Sequence, residues 1–314
     1  MGGLGQVAPD AARAVDSVGI VGVGLIGGSI ALAARRARPE LRLIGVDRGT
    51  ALQRASALGA FDAVASDLEA LRGVSLIVLC AAVRQNVAVL GELARLLGGC
   101  GAGNSGSGVA AVITDTGSTK RAMLQAARTL PDTLSFVGGH PVAGAARAGA
   151  AAARADLFRG RPWVLTPGEP TRALAHVELV ASFVAALGAE PRVIDADTHD
   201  RVIAFLSHLP QLTASALMHV VGLAVGPEHL SLAGGGLTDT TRLAASPPEI
   251  WRDICATNDD AIGPAIDALI ETLQRLRADL PHGTAIADVF ESAARWRAAV
   301  DTTSETAAGA GHLP

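Results

Sequence analysis

Short apolar runs broken by glycine and polar turns fill the first two-thirds of the chain, and long, broadly apolar segments fill the rest. Val18, Ile20, Val21 and Val23 make the first run, bounded by glycines, which predicts a buried parallel strand. Further strands are predicted at 41–46, 74–80, 111–114, 163–166 and 192–194. Helices are predicted at 51–58, 86–97 and 172–187, with another carrying Met123, Leu124, Ala127 and Leu130 on one face and ending at Pro131. Residues 136–141 read as a strand end breaking into a loop at Gly138-Gly139. Alternation of this kind predicts a parallel, doubly wound sheet with ligands at the carboxyl ends of its strands.

From Asp197 the pattern changes to helical segments at 198–225, 248–257, 260–279 and 284–300. Their apolar stripes are wide, so they need partners on several sides, which predicts an all-α domain through which a homodimer forms. The expected fold class is therefore an α/β Rossmann-type doubly wound sheet followed by an all-α dimerisation domain. Its expected divisions are a disordered N-terminus at 1–16, a dinucleotide-binding domain at 17–196, a helical substrate and dimerisation domain at 197–300, and a disordered tail at 301–314.

Gly22, Gly24 and Gly27 fall on the G-x-G-x-x-G spacing directly after the first strand, with Leu25 and Ile26 between the second and third glycines. The first glycine permits a tight turn, the second lets a pyrophosphate approach the backbone, and the third lets the helix pack against the strand. The helix start supplies amides and a positive dipole end for the phosphates. Asp47 closes the second strand twenty residues beyond Gly27, where a carboxylate accepts both ribose hydroxyls of NAD and repels the 2′-phosphate of NADP. Arg48 beside it leaves some NADP use open. Cys80 closes an apolar strand at the same edge and is placed with the cofactor residues.

Composition narrows the partners. A hydrophobic content of 49%, a charged content of 18% and a net charge of −4 describe a globular chain without a basic surface for nucleic acid or anionic membrane. No uninterrupted apolar run reaches the ~18 residues of a membrane span, and the N-terminus lacks a secretory signal pattern. Cys80, Cys100 and Cys255 are odd in number and scattered, which fits reduced thiols and a cytoplasmic location. The histidines do not pair with acids or cysteines at ligand spacings, so no metal site is expected. The Gly- and Ser-rich segment 98–108 lacks a P-loop ending and is assigned no chemistry.

Three clusters remain. His140 stands at a strand end where a nicotinamide would lie, with a side chain suited to proton transfer near neutrality or to a structural contact. Ser118, in Asp115-Thr-Gly-Ser, either hydrogen-bonds substrate or histidine, or caps the helix starting near Thr119. His199, Ile203, Ser207 and Gln211 recur every four residues and share one helix face, lining a cavity or meeting another subunit, and Pro210 should bend that helix. Arg242, after a glycine triplet, suits a bidentate grip on a carboxylate or a solvated surface position.

Gly22-Val-Gly-Leu-Ile-Gly-Gly-Ser29, Asp115-Thr-Gly-Ser-Thr-Lys120, Gly138-Gly-His-Pro141, His199-Asp200, Ser207-His-Leu-Pro210 and Gly234-Gly-Gly-Leu-Thr-Asp-Thr-Thr-Arg242 occur in that order. Together, over about residues 18–300, they resemble the prephenate and arogenate dehydrogenases of tyrosine biosynthesis. The resemblance implies an intertwined homodimer and NAD-dependent oxidative decarboxylation of a cyclohexadienol. It implies His140 as the acceptor of the ring-hydroxyl proton, Ser118 as its positioner, Arg242 as the substrate-carboxylate binder and Ser207 as pocket lining. Gln211 stands where many members have histidine, facing the substrate's side-chain end; a neutral amide there leans toward prephenate over arogenate. Leu237 stands where an aromatic residue is common, which alters the pocket. Dehydrogenases with a similar plan that use a lysine of the helical domain are disfavoured, because Lys120 is the last lysine of the chain. The alternative outside catalysis is an NAD-binding dimer in which Ser118 and His140 merely cap and pack.

Overall fold

A computed structural model describes residues 15–98, 111–143, 149–168 and 173–309, the last eight of these by backbone alone. The expectations for 1–14, for most of the 98–108 segment and for 310–314 lie outside the described residues. In order, the elements are β1 (Ser17–Val21), α1 (Leu25–Ala37), β2 (Arg42–Val46), α2 (Thr50–Ala57), β3 (Ala63–Ala65), β4 (Leu76–Leu79), α3 (Val83–Leu97), β5 (Ala111–Asp115), α4 (Arg121–Ala127) and β6 (Leu134–Pro141). Then come β7 (Pro162–Pro167), α5 (Ala173–Ala186), β8 (Glu190–Val193), α6 (Ala196–Ile203), α7 (Leu209–His229), α8 (Gly235–Thr240), α9 (Pro248–Thr257), α10 (Asp259–Asp279) and α11 (Thr284–Gly309).

The strands form one eight-stranded sheet in the order β3-β2-β1-β4-β5-β6-β7-β8. The order reverses between β1 and β4, the switch point at which doubly wound sheets bind ligands. One sheet face packs Ile30, Phe158, Phe183 and Val184, and the other packs Leu90, Leu93 and Met123. Strands buried on both faces explain the continuous apolar runs of β1 and β4.

Two expectations about the sheet need correction. It is not wholly parallel, because β7 runs antiparallel to β6 while β8 runs parallel to β7. Nor does β6 break at its glycines: it continues to Pro141, with Gly138 opposite Thr166 and His140 opposite Val164. Those glycines serve close packing. A Cβ on Gly138 would lie 2.1 Å from the Thr166 hydroxyl, and one on Gly139 would lie 2.4 Å from the Asp115 carbonyl.

The chain divides into two compact units, one running to Asp200 and including Arg252–Thr257, the other comprising Arg201–Trp251 and the chain from Asn258. Within the first unit, Asp253 accepts hydrogen bonds from the backbone N–H and the Nε of Arg84 at the start of α3. The second unit is helical. The expected helix at 198–225 is interrupted by a π-helical turn over Ala204–His208, and α7 begins beyond it with Pro210 in its first turn. A proline lacks an N–H, and at a helix start none is needed, so Pro210 sets the boundary instead of bending a continuous helix. The last helix runs to Gly309, past the tail boundary expected at 301.

By length and composition alone, the stretch Ala196–Leu232 would suffice to cross a membrane. Leu223 and Trp296 are 76% and 74% exposed, and Leu280 and Phe290 are also largely uncovered. In a water-soluble domain such side chains mark surface that another chain covers.

Candidate active site

At the switch point the three glycines differ in their surroundings. Gly22 has φ +92, where side-chain-bearing residues are strained, and its N–H donates to the Val46 carbonyl. A Cβ on Gly27 would lie 2.1 Å from the Gly22 carbonyl oxygen, so α1 can approach β1 only with glycine there. Nothing lies within 4 Å of the corresponding point on Gly24, which leaves backbone open to a ligand. No side chain caps the start of α1 and no acid stands in its first turn. Leu25 and Ile26 begin that helix, half-buried. These features fit a dinucleotide pyrophosphate, whose charge the free amides would meet.

Asp47 holds the loop. Its Oδ2 accepts the Val23 N–H at 2.7 Å and its Oδ1 accepts the Arg48 N–H at 2.7 Å. Each carboxylate oxygen keeps a further lone pair, so ribose contacts remain chemically available. A groove of about 820 Å³ opens beside them, lined by Gly22, Asp47, Arg48, Asp67, Glu69 and Glu92 among others. No sequence pattern marks its wall at 66–69, because β3 has three residues and the 3₁₀ turn Leu68–Leu71 has four, too few for periodicity to register. Cys80 stands at this edge with its N–H donating to the Val21 carbonyl. Burial, reinforced by the Asp115 carboxylate, pushes its thiol up to about 12, so the thiolate is not an available nucleophile.

The neighbouring strand ends carry a second polar cluster. The parallel pairing of β5 and β6 brings the segments bearing Ser118 and His140 to one edge of the sheet. Asp115, fully buried, accepts the Gly117 N–H on one oxygen and the Gly139 N–H on the other. Lys120, also fully buried, donates its Nζ to Asp115 at 2.5 Å and to the Gly139 carbonyl at 2.7 Å. Burial lowers the Lys120 pKa, partly offset by Asp115 and Asp200. This knot ties the turn before α4 to the end of β6, and so fixes the two backbones that present Ser118 and His140.

His140 is half-buried, and its Nδ1 lies 2.8 Å from Nε2 of His199. The Nδ1 of His199 lies 2.7 Å from Asp200 Oδ1, and both residues are fully buried. Asp200 also accepts the backbone N–H groups of Lys120 and Arg121 and the Arg121 Nε. Burial alone would raise the Asp200 carboxyl, but the His199 hydrogen bond and those two amides outweigh it and hold the pKa below the ordinary carboxylate value. Asp200 thus caps α4, whose N-cap residue Lys120 offers no side-chain bond. The capping alternative considered for Ser118 is therefore filled by a residue eighty positions away in sequence from Lys120. Four-residue spacing places His199 in a helix row; its pairing with His140, 59 residues distant, has no signal in local spacing.

That row does not survive the π turn. The extra residue carries the buried face from Ile203 and Ala204 to His208, leaving Ser207 exposed. His208 meets Trp251 edge-on, with ring centroids 6.0 Å apart, and lies 3.3 Å from Asn258 Nδ2. Gln211 is buried with both ends of its amide engaged by protein. Its Nε2 donates to the Leu243 carbonyl and Ser215 Oγ, and its Oε1 accepts from Ser246 Oγ. Arg242, exposed, begins the 3₁₀ turn Arg242–Ala245 that those bonds brace. Leu237 lies within α8, so the glycine-rich segment is a short helix. Among the described residues, no cluster of His, Cys, Asp or Glu could hold a metal ion.

Residues 30–193 match the model for the prephenate dehydrogenase nucleotide-binding domain, and residues 195–287 match the model for the prephenate dehydrogenase dimerization domain. The prephenate dehydrogenase of Bacillus subtilis is 35% identical over 267 residues, covering 83% of this chain and 69% of that protein. The cyclohexadienyl dehydrogenase of Zymomonas mobilis is 32% identical over 298 residues, covering 91% of this chain and 96% of that protein. The crystal structure of prephenate dehydrogenase from Aquifex aeolicus, in complex with hydroxyphenyl propionate and NAD+, superposes with a TM-score of 0.77 at 27% identity, covering 93% of this chain and 98% of that one. The chain belongs to the prephenate dehydrogenase family of NAD-dependent oxidoreductases.

Proposed function

We propose that the chain oxidatively decarboxylates prephenate to 4-hydroxyphenylpyruvate in tyrosine biosynthesis, acting as a cytoplasmic homodimer. The observation that carries the reading is the sheet edge, where Ser118 follows β5 and His140 lies in the last residues of the adjacent parallel strand β6, near the glycine loop at the switch point. NAD, when bound, accepts the hydride from the ring carbon that bears the hydroxyl. Gly22, Gly24, Leu25, Ile26 and Gly27 would hold its pyrophosphate, with Asp47 and Arg48 at its ribose and Cys80 lining the strand edge. His140 takes the hydroxyl proton, which pushes the hydride out. The bond to the ring carboxylate breaks, its electron pair completes the aromatic ring as CO2 leaves, and His140 returns the proton to the oxygen. The proton balance is zero, so orientation and a base of suitable pKa are the enzyme's main contributions. Ser118 orients the hydroxyl and His140, Arg242 grips a substrate carboxylate, and Ser207 lines the pocket.

Prephenate is preferred to arogenate here because the residue at 211 is a neutral amide, and an ammonium-bearing side chain would call for an acid. The Zymomonas relative, named for cyclohexadienyl substrates, supports arogenate or dual use as the second reading. Rates of NADH formation at equal concentrations of the two substrates test the choice, and turnover of arogenate alone would reverse it. The dimer rests on the dimerization-domain match and the uncovered Leu223, Leu280, Phe290 and Trp296. The cytoplasmic assignment rests on the free thiols of Cys80 and Cys255.

A further inference from the structure

His140, His199 and Asp200 form a chain of three side chains with links of 2.8 and 2.7 Å, and only its outer end is partly open. We infer that His199 and Asp200 are positioning residues that lock the tautomer of His140, leaving its Nε2 as the atom that accepts the substrate proton. The inference rests on the reading of His140 as the base.

Hydrogens can be assigned outward from the buried end. The Asp200 carboxylate accepts two backbone N–H groups and the Arg121 Nε, an arrangement that favours the ionised form. A carboxylate can only accept, so Nδ1 of His199 carries the hydrogen. Neutral His199 then has a lone pair on Nε2, which must accept from Nδ1–H of His140. In neutral His140 the lone pair is therefore on Nε2. When that atom takes the substrate proton, the Nδ1–H bond toward His199 strengthens, and the positive charge is shared toward Asp200.

The same geometry is a switch. If the histidine pair acquires a proton beforehand, it settles on His140 Nε2, the same atom and the same protonation state as in turnover. One proton thereby turns the base into a donor. The charged groups around the pair are Asp200 on α6, Lys120 and Arg121 at the start of α4, and Asp115 on β5 against Lys120. Loss of activity at low pH should therefore be a property of the two rings together.

Nitrogen-15 NMR of the histidine-labelled full chain tests the lock without turnover, with His140→Asn assigning the signals. At pH 8, wild type should show His140 protonated at Nδ1 and unprotonated at Nε2; the reverse tautomer overturns the inference. Asp200→Asn should reverse the tautomer, and an unchanged tautomer in that folded variant also overturns it. His199→Asn should lower kcat about 10–100-fold, the usual loss on removing a supporting partner, move the acid limb of the pH profile, and leave NAD affinity unchanged. Wild-type kcat with an unmoved acid limb would make the contact merely structural. Should Asp200→Asn fail to fold for want of its cap on α4, the wild-type spectrum and His199→Asn decide. Full turnover by His140→Asn would instead sink the underlying reading of the base, an outcome separate from all of these.

Discussion

The two units bury their side chains in opposite ways. The first carries ionised groups inside and satisfies them itself: Lys120, Asp115 and Asp200 are fully buried, each hydrogen-bonded. The second carries apolar groups outside, among them Leu223, Leu280, Phe290 and Trp296. A sheet covered by helices on both faces can close around its own polar knot, whereas helices that leave large apolar side chains on their outer faces do not close on themselves. The first is therefore a unit whose internal contacts account for its stability. The second is complete only when another chain covers it.

This contrast can be broken most severely inside the first unit. Lys120→Met leaves the Asp115 carboxylate buried without its cation, and about 3–5 kcal/mol of stability should be lost in urea titrations. That loss should not depend on protein concentration. Next, His140→Asn should lower kcat by about 10²–10⁴-fold, the range for a positioned proton acceptor, with NAD affinity near normal by fluorescence titration. Equal loss of both would show that the residue holds structure only. In the second unit, Leu223→Glu should weaken dimerisation by about 2 kcal/mol, roughly thirtyfold in the dissociation constant, as read by sedimentation. Loss of the dimer's contribution to the melting temperature on dilution should then set in at about thirtyfold higher protein concentration than in wild type. Gln211→Ala removes the brace of the Arg242 turn and should raise KM about tenfold, worth ~1.4 kcal/mol, with kcat little changed.

The smallest effect is in acid. The Asp200 carboxyl is held below its unfolded value, so its contribution is present in full above that value and fades as pH falls through the folded one. Stability from this group should be flat near neutrality and decline only below about pH 4. Urea midpoints measured from about pH 7 down to about pH 3 should show a slope that Asp200→Asn reduces.

Much of the fold is legible in the sequence because its signals are local. The glycine triplet, the apolar runs of β1 and β4, and the change of pattern near residue 197 lie within short windows. What escapes is set by distant contacts. Gly138 and Gly139 look like loop punctuation in sequence, yet they are small because Thr166 and Asp115 crowd them from neighbouring strands. The direction of β7 depends on which strand it meets, and no periodicity encodes that. At the site, His140 and Ser118 stand out by their strand-end positions, but the partner of His140 does not. Spacing puts His199 on a face with Ser207 only if the helix is unbroken, and the π turn breaks it.

The π turn over Ala204–His208 has a consequence for how this chain tolerates changes in length. It shifts helical phase, so the segments on its two sides follow one axis with different angular offsets. A π turn fits one more residue than an α turn, so deleting one residue there would restore an even spiral and leave the helix beyond it facing as it does now. A deletion just beyond the turn has no such slack: Gln211 and Ala214, now inward, would rotate by about 100° toward solvent, and the bonds to Leu243 and Ser246 would be lost together. The exposed positions 205–207 should thus tolerate a one-residue deletion that the regular helix after them does not.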